Sequence, residues 1–216
     1  MTATTSGRAR GSHRLALTGG GPKGNEQLTA SVSVVLLVAL AVLGVTILRI
    51  GQLISVHLFV GMLLLGPVAL KMISTGYRFV QYYTRSVIYR EKGPPQALLR
   101  AIAPVVALTT VVVFVSGLVL LFAGPQDRGP WVSIHKVSFI VWGVFTALHV
   151  LGHLRRLPEQ LRPTRNEPWS LSSASPGGVG RSLALAGALA AGLVLAVVFL
   201  PQFSAWSAHG AFPHHH

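Results

Sequence analysis

The chain alternates between long apolar runs and short polar, basic segments. Five runs reach the ~20 residues that a helix needs to cross the hydrocarbon core of a bilayer. These predicted spans are approximately Leu28 to Leu48, Leu53 to Ser74, Ala101 to Phe122, Trp131 to Leu154 and Leu183 to Leu200. The pattern predicts an all-α membrane protein with five transmembrane helices. Short turns join the first helix to the second and the third to the fourth, so each pair should form an antiparallel hairpin.

Composition supports a lipid bilayer as the environment of the chain. Of its 216 residues, 51% are hydrophobic and only 11% are charged, whereas charged residues make up about 25% of an average soluble domain. There is no cysteine. The lack of thiols excludes disulfides, iron–sulfur clusters, thiolate-ligated iron and covalently attached c-type haem.

The formal charge of +13 does not indicate nucleic-acid binding, because the cations lie in short segments beside the apolar runs. Fourteen cations fall in the N-terminal tail and in the connections after the second and fourth spans, against three on the opposite side. The positive-inside rule then predicts a cytoplasmic N-terminus and an external C-terminus. We expect a multi-pass protein of the inner (plasma) membrane.

The same pattern divides the chain into five segments. Residues 1–27 are predicted to be a disordered, basic cytoplasmic tail, and residues 28–156 a four-helix membrane bundle. A cytoplasmic linker rich in Pro, Ser and Gly follows at 157–182, then the fifth transmembrane helix at 183–200. The segment 201–216 is an extracytoplasmic tail, whose terminal histidines we assign no specific role.

Four histidines fall within the spans, where an ionisable side chain is costly and usually functional. His57 lies in the second span, and His135 lies at a matching depth in the fourth, each about five residues from the outer end. Since these two helices run parallel, one haem b fits between them as a bis-histidine site. Gly61, one turn after His57, leaves room for a flat macrocycle. Interhelical hydrogen bonding and proton relay are the alternative uses of such histidines.

A second set of polar residues lies about 21 Å further along the same helices. His149 follows His135 by fourteen residues, and Lys71 follows His57 by the same spacing. His149 is a candidate ligand of an inner haem, with Lys71 or His153 as open choices for the second ligand. Pairing with a haem propionate and, as the more ordinary role, extension toward the membrane surface are the other uses of Lys71. A metal-ion site on His149 and His153 would need a further ligand.

These motifs together resemble the small bacterial membrane cytochrome b proteins, a di-haem four-helix group that includes membrane subunits of some respiratory dehydrogenases. The resemblance covers about residues 30–156. It rests on the motifs His57-Leu58-Phe59-Val60-Gly61, Ser116-Gly117, Trp131-Val132-Ser133-Ile134-His135-Lys136 and His149-Val150-Leu151-Gly152-His153. It implies that His57 and His135 ligate an outer haem and His149 an inner one. Lys71 stands where the family pattern expects a histidine, and the fifth helix lies outside that pattern.

The predicted function is electron transfer through one or two non-covalent b haems, between quinone or quinol and a redox partner subunit or soluble oxidoreductase. A bis-histidine iron has no open position for oxygen chemistry. The chain has no hydride-binding glycine motif and no paired catalytic carboxylates, so a subunit of an oxidoreductase is favoured over a self-contained enzyme. The alternative is a haem-free transporter or an anchor or assembly subunit that uses the buried His and Lys residues.

Overall fold

The described part of the chain is entirely helical. The computed structural model describes residues 21–84, 97–154 and 177–207, with backbone alone for 21–23, 97–100 and 153–154. Within these ranges there are six helices and no strand. They are α1 (Gly21–Leu48), α2 (Ile50–Tyr83), α3 (Ala97–Ala123), α4 (Trp131–Leu154), α5 (Gly178–Val198) and α6 (Leu200–Ser207).

Five of these helices are long and apolar enough to cross a membrane, which confirms the predicted number of spans. The spanning segments are Gly24–Leu48, Ile50–Tyr83, Ala101–Ala123, Trp131–Gly152 and Gly178–Val198. Large apolar side chains are exposed along them, as at Ile73 and Leu108, whose exposed fractions are 69% and 66%. Such surfaces are stable only against another apolar phase. The five helices therefore indicate a multi-pass membrane protein.

Several helices extend beyond the predicted spans. α1 begins at Gly21, inside the segment expected to be a disordered tail, and α2 continues past Ser74 to Tyr83. Polar side chains of α1 and α2 pair there, and hydropathy does not score such contacts. α3 begins at Ala97, and α5 begins at Gly178, within the predicted linker 157–182.

α6 occupies the start of the predicted external tail, with Pro201 in its first turn, a position that tolerates proline. It buries Phe203 and Trp206, so packing stabilises this short helix. Residues 1–20, 85–96, 155–176 and 208–216 lie outside the described residues.

Both predicted hairpins are formed by tight turns. Arg49 alone separates α1 from α2, and the amides of Gln52 and Leu53 donate to its carbonyl oxygen at 3.0 and 2.9 Å. After α3, Gly124 adopts a φ of 75° and its amide donates to the Leu120 carbonyl oxygen at 3.0 Å. This is the left-handed cap that commonly ends a helix at glycine. α3 and α4 consequently pack along each other, as α1 and α2 do.

α2 is the central helix of the described fold, since it packs against α1 on one side and α5 on another. Pro67 has no amide proton for the Leu63 carbonyl oxygen, one turn earlier. Gly192 of α5 lies directly over that oxygen, and Gly66 of α2 lies over the Ala188 carbonyl oxygen in return. A side chain at either glycine would collide with the opposing backbone. Small residues are the usual means of bringing membrane helices this close.

α6 joins the two hairpins at one end of the molecule, contacting both α2 and α3. Its Phe203 and Trp206 belong to an apolar cluster with Ile54, Met62 and Leu121. Elsewhere α2 and α3 share only a small contact area, and within the described residues α2 does not pack extensively against α4. Within the described residues, the second hairpin therefore contacts α2 mainly through α3.

Replacing Gly192 with alanine should destabilise the protein by about 1–3 kcal/mol, because the added methyl group must push α5 away from the Leu63 carbonyl. The free energy of unfolding in a denaturing-detergent titration would measure this. Gly187→Ala on the same helix is the matched control, since a methyl group there meets no atom within 4 Å. Equal stability of the two variants would contradict the close crossing of α2 and α5.

Candidate histidine site

The structure places His57 and His135 at the same end of the molecule, the end that carries both hairpin turns. His57 lies in the third turn of α2 and His135 in the second turn of α4. Both side chains are half-buried, and each bonds the neighbouring helix of its own hairpin, His57 to α1 and His135 to α3. That the two residues share one ligand stays a prediction from their matched depth in the spans.

The imidazole of His57 is held by α1. Its Nδ1 lies 2.9 Å from Oγ1 of Thr46, a residue that is 1% exposed. The hydroxyl proton of Thr46 is already donated to the Leu43 carbonyl oxygen at 2.6 Å. A hydroxyl has one proton to give, so Nδ1 of His57 must be the donor to Thr46.

The imidazole of His135 is held in the same way by α3. Its Nδ1 lies 3.1 Å from the Val113 carbonyl oxygen and 3.1 Å from Oγ of Ser116. A carbonyl oxygen only accepts, and the Ser116 hydroxyl donates to the Val112 carbonyl oxygen at 2.7 Å. Nδ1 of His135 therefore carries the proton as well.

Gly117 makes room for this ring on α3. A Cβ atom at Gly117 would lie 3.1 Å from Cε1 of His135 and 3.5 Å from its Nδ1, which is tighter than most real contacts of this kind. Ser116 and Gly117 thus act on the same imidazole, one through its hydroxyl and the other through its missing side chain. The Ser-Gly pair singled out in the sequence lies against His135.

The two hydrogen-bonding arrangements have one chemical consequence. A neutral imidazole with its proton on Nδ1 keeps the lone pair of Nε2 for an acceptor role or a metal ion. Metal-bound histidines characteristically donate their other ring nitrogen to a carbonyl or similar acceptor, which fixes the tautomer and the ring orientation. His57 and His135 each have this arrangement before any ligand is considered.

His57 and His135 are two nitrogen donors without a larger cluster of ligands. Among the described residues, no group of three or more His, Cys, Asp or Glu side chains is placed to hold a metal ion. Two histidines alone under-coordinate an ion, whereas a haem, which brings four nitrogens of its own, would need only two from the protein. A methyl group built on Gly61, one turn beyond His57, meets no atom within 4 Å. The α2 surface is therefore open there.

The structure places the other predicted ligands elsewhere. Lys71 directs its ammonium group to α1, where it donates to the Thr29 carbonyl oxygen at 3.1 Å and to Oγ of Ser33. His149 is half-buried in α4, about 21 Å along the helix from His135. The backbone of His153 continues α4, but its side chain lies outside the described residues.

Thr46 is the site residue that reasoning from sequence missed. Its hydroxyl is the only polar side-chain group between Gly44 and Leu48, next to the turn that folds α2 back along α1. The chain turns over between Arg49 and Leu53, where the backbone of both residues departs from helical angles. Thr46 and His57 lie five residues before and six residues after the middle of that turn, Gly51, which is the signal that pairs them. The backbone carbonyl of Val113 carries no such signal.

Comparison with known proteins does not assign the chain to a family, because no family model, curated protein or solved structure matches it. The likeness to small membrane cytochromes b thus stays a prediction from the motifs. The geometry around His57 and His135 is an independent observation.

In the metal-free chain, His57 and His135 should both be neutral with the proton on Nδ1, because Thr46 and Val113 accept it. Nitrogen-15 NMR of histidine-labelled protein reports this tautomer, and spectra of His57→Gln and His135→Gln assign the two signals. A proton on Nε2 in either ring would refute the hydrogen-bond directions given above.

Proposed function

We propose that this chain is a membrane b-type cytochrome that holds one haem b between His57 and His135. The observation that supports it most is that both imidazoles bind a protein acceptor through Nδ1 and keep the Nε2 lone pair. Thr46 and His57 make one of these contacts in the first hairpin, and Ser116 and His135 make the other in the second hairpin. The open surface beside Gly61 fits the same ligand.

In this proposal Nε2 of His57 and Nε2 of His135 would hold the haem. Bound haem would supply an iron that changes oxidation state by one electron. The acceptors on the Nδ1 side keep each ring from rotating and make each Nε2 more electron-donating. A haem iron held by two histidines would suit electron transfer rather than oxygen activation.

A single haem per chain is the form of the proposal that the contacts favour. An inner haem would need a partner for His149, and Lys71 has its ammonium group engaged by α1. The one remaining candidate for a second ligand, His153, is within the last two residues of α4. We therefore assign Lys71 a role in the contact between α1 and α2 rather than on iron.

The position of the proposed haem in the membrane follows from the predicted topology. With the N-terminus in the cytoplasm, the site of His57 and His135 lies near the outer face of the inner membrane. An outer haem suits exchange with quinol in the bilayer and with a redox partner subunit or soluble oxidoreductase outside. The chain lacks catalytic carboxylates, so the substrate chemistry belongs to that partner.

Alanine at His57 or at His135 should remove the same component of the reduced-minus-oxidised absorption spectrum, since each supplies one axial ligand of one iron. His149→Ala, on the same helix as His135, is the matched control and should retain that component in full. Lys71→Met should also leave the low-spin signals unaltered. Retention of the full spectrum by either of the first two variants would refute the pairing.

Thr46→Val should raise the reduction potential of the haem. Removing the acceptor from Nδ1 of His57 makes the imidazole a weaker electron donor, which favours ferrous iron. Spectroelectrochemical titration measures the potential. Thr109→Val is the control, because that hydroxyl bonds only the backbone carbonyls of its own helix, at Val105 and Val106. An unchanged or lowered potential in Thr46→Val would show that Thr46 does not act on the iron ligand.

A further inference from the structure

A second polar region joins α1 to α2 at the opposite end from the histidine site. We call it the α1–α2 seam, and it comprises Asn25, Glu26, Thr29 and Ser33 of α1 with Lys71, Ser74 and Arg78 of α2. The Ser74 hydroxyl contacts Oγ1 of Thr29 at 2.6 Å and Oδ1 of Asn25 at 2.9 Å. The seam lies where α1 begins and α2 nears its end, which is the cytoplasmic end in the predicted topology.

The two cations of the seam have different partners. Lys71 and Arg78 lie two helical turns apart on the same side of α2. Glu26 pairs with Arg78 at 3.5 Å, whereas the partners of Lys71 are a carbonyl and a hydroxyl oxygen, both uncharged. Within the seam, no carboxylate therefore contacts the ammonium group of Lys71.

An uncompensated charge in a partly buried site of a membrane protein is costly. Lys71 is half-buried, and its two hydrogen bonds to α1 leave one of its three ammonium protons for a further acceptor. The guanidinium of Arg78 is 41% exposed and uses one nitrogen on Glu26, which leaves it further donors. Both cations thus have donors left for a further acceptor, and both lie on the same side of α2.

We propose that the α1–α2 seam binds the phosphate group of an anionic phospholipid between Lys71 and Arg78. About 10 Å of helix separates the two residues, a distance that their long side chains span toward one anion. Lipid phosphates lie at the level where spanning helices leave the hydrocarbon, and basic pockets between helices on the cytoplasmic side recognise anionic headgroups. A phosphate there would give Lys71 a charged partner and lower the repulsion between the two cations.

This inference does not depend on the proposed haem site, because it uses different residues at the other end of the spans. A chain without haem would still bind the lipid, and a failure to bind lipid would leave the spectral variants of His57 and His135 unaffected. The two proposals can thus fail separately.

The test is lipid binding to the full-length protein, delipidated in neutral detergent. Phosphatidylglycerol, phosphatidylcholine and inorganic phosphate are titrated separately, with native mass spectrometry counting retained lipid. We expect one saturable phosphatidylglycerol site, and about five-fold weaker binding in Lys71→Met and in Arg78→Gln. Lys71→Arg should restore binding, which separates charge recognition from a folding defect.

Lys136→Met is the matched control, since it removes one exposed cation from α4 and lies at the opposite end of the spans. It should bind phosphatidylglycerol as the wild type does. Equal weakening in Lys136→Met and Lys71→Met would mean that net charge alone attracts the lipid, and it would overturn the proposal. Competition by millimolar inorganic phosphate, with no dependence on the lipid chain, would equally overturn the lipid as occupant and assign the seam to free phosphate.

Discussion

Inside hydrocarbon a polar group has no water to bond, so each must find its partner in the protein. That constraint determines where the polar side chains inside the spans lie. It draws His57 to Thr46 across the first hairpin and His135 to Val113 and Ser116 across the second. It also draws Lys71 to Thr29 and Ser33 of α1. The resulting contacts fix how each helix is rotated against its neighbour.

The same constraint produces two polar regions with different chemistry. At the hairpin end, each imidazole uses Nδ1 in a hydrogen bond within its own hairpin. Nε2 of each ring is left as an acceptor or a metal ligand. At the other end, hydroxyls and carbonyls satisfy Lys71 without neutralising it. The close crossing of α2 and α5, with Gly192 over Leu63 and Gly66 over Ala188, holds α2, which carries residues of both regions, in place.

Hydropathy alone predicts the five spans and both hairpins, because membrane insertion depends on length and apolarity and little else. Depth counting places His57 and His135 at the same level of the bilayer, and their pairing on one ligand stays a prediction. It does not predict that Lys71 faces α1, since two residues at equal depth can face different neighbours and rotation is set by contacts. Hydropathy does not predict that α1 begins at Gly21 either. Asn25 and Glu26 are polar, and their partners Ser74 and Arg78 are distant in sequence. Nor does spacing predict that α5 packs on α2, which depends on Gly66 meeting Ala188.

The central claim is that one haem b lies between His57 and His135. The most direct test is the haem content of full-length protein, purified in detergent after haem-replete expression. Pyridine haemochrome quantitation gives the ratio, and electron paramagnetic resonance of the oxidised protein gives the spin state. The account predicts close to one haem b per chain with a single low-spin ferric signal. A colourless protein would contradict it and favour a haem-free transporter or anchor, and a ratio near two would show that an inner site exists after all.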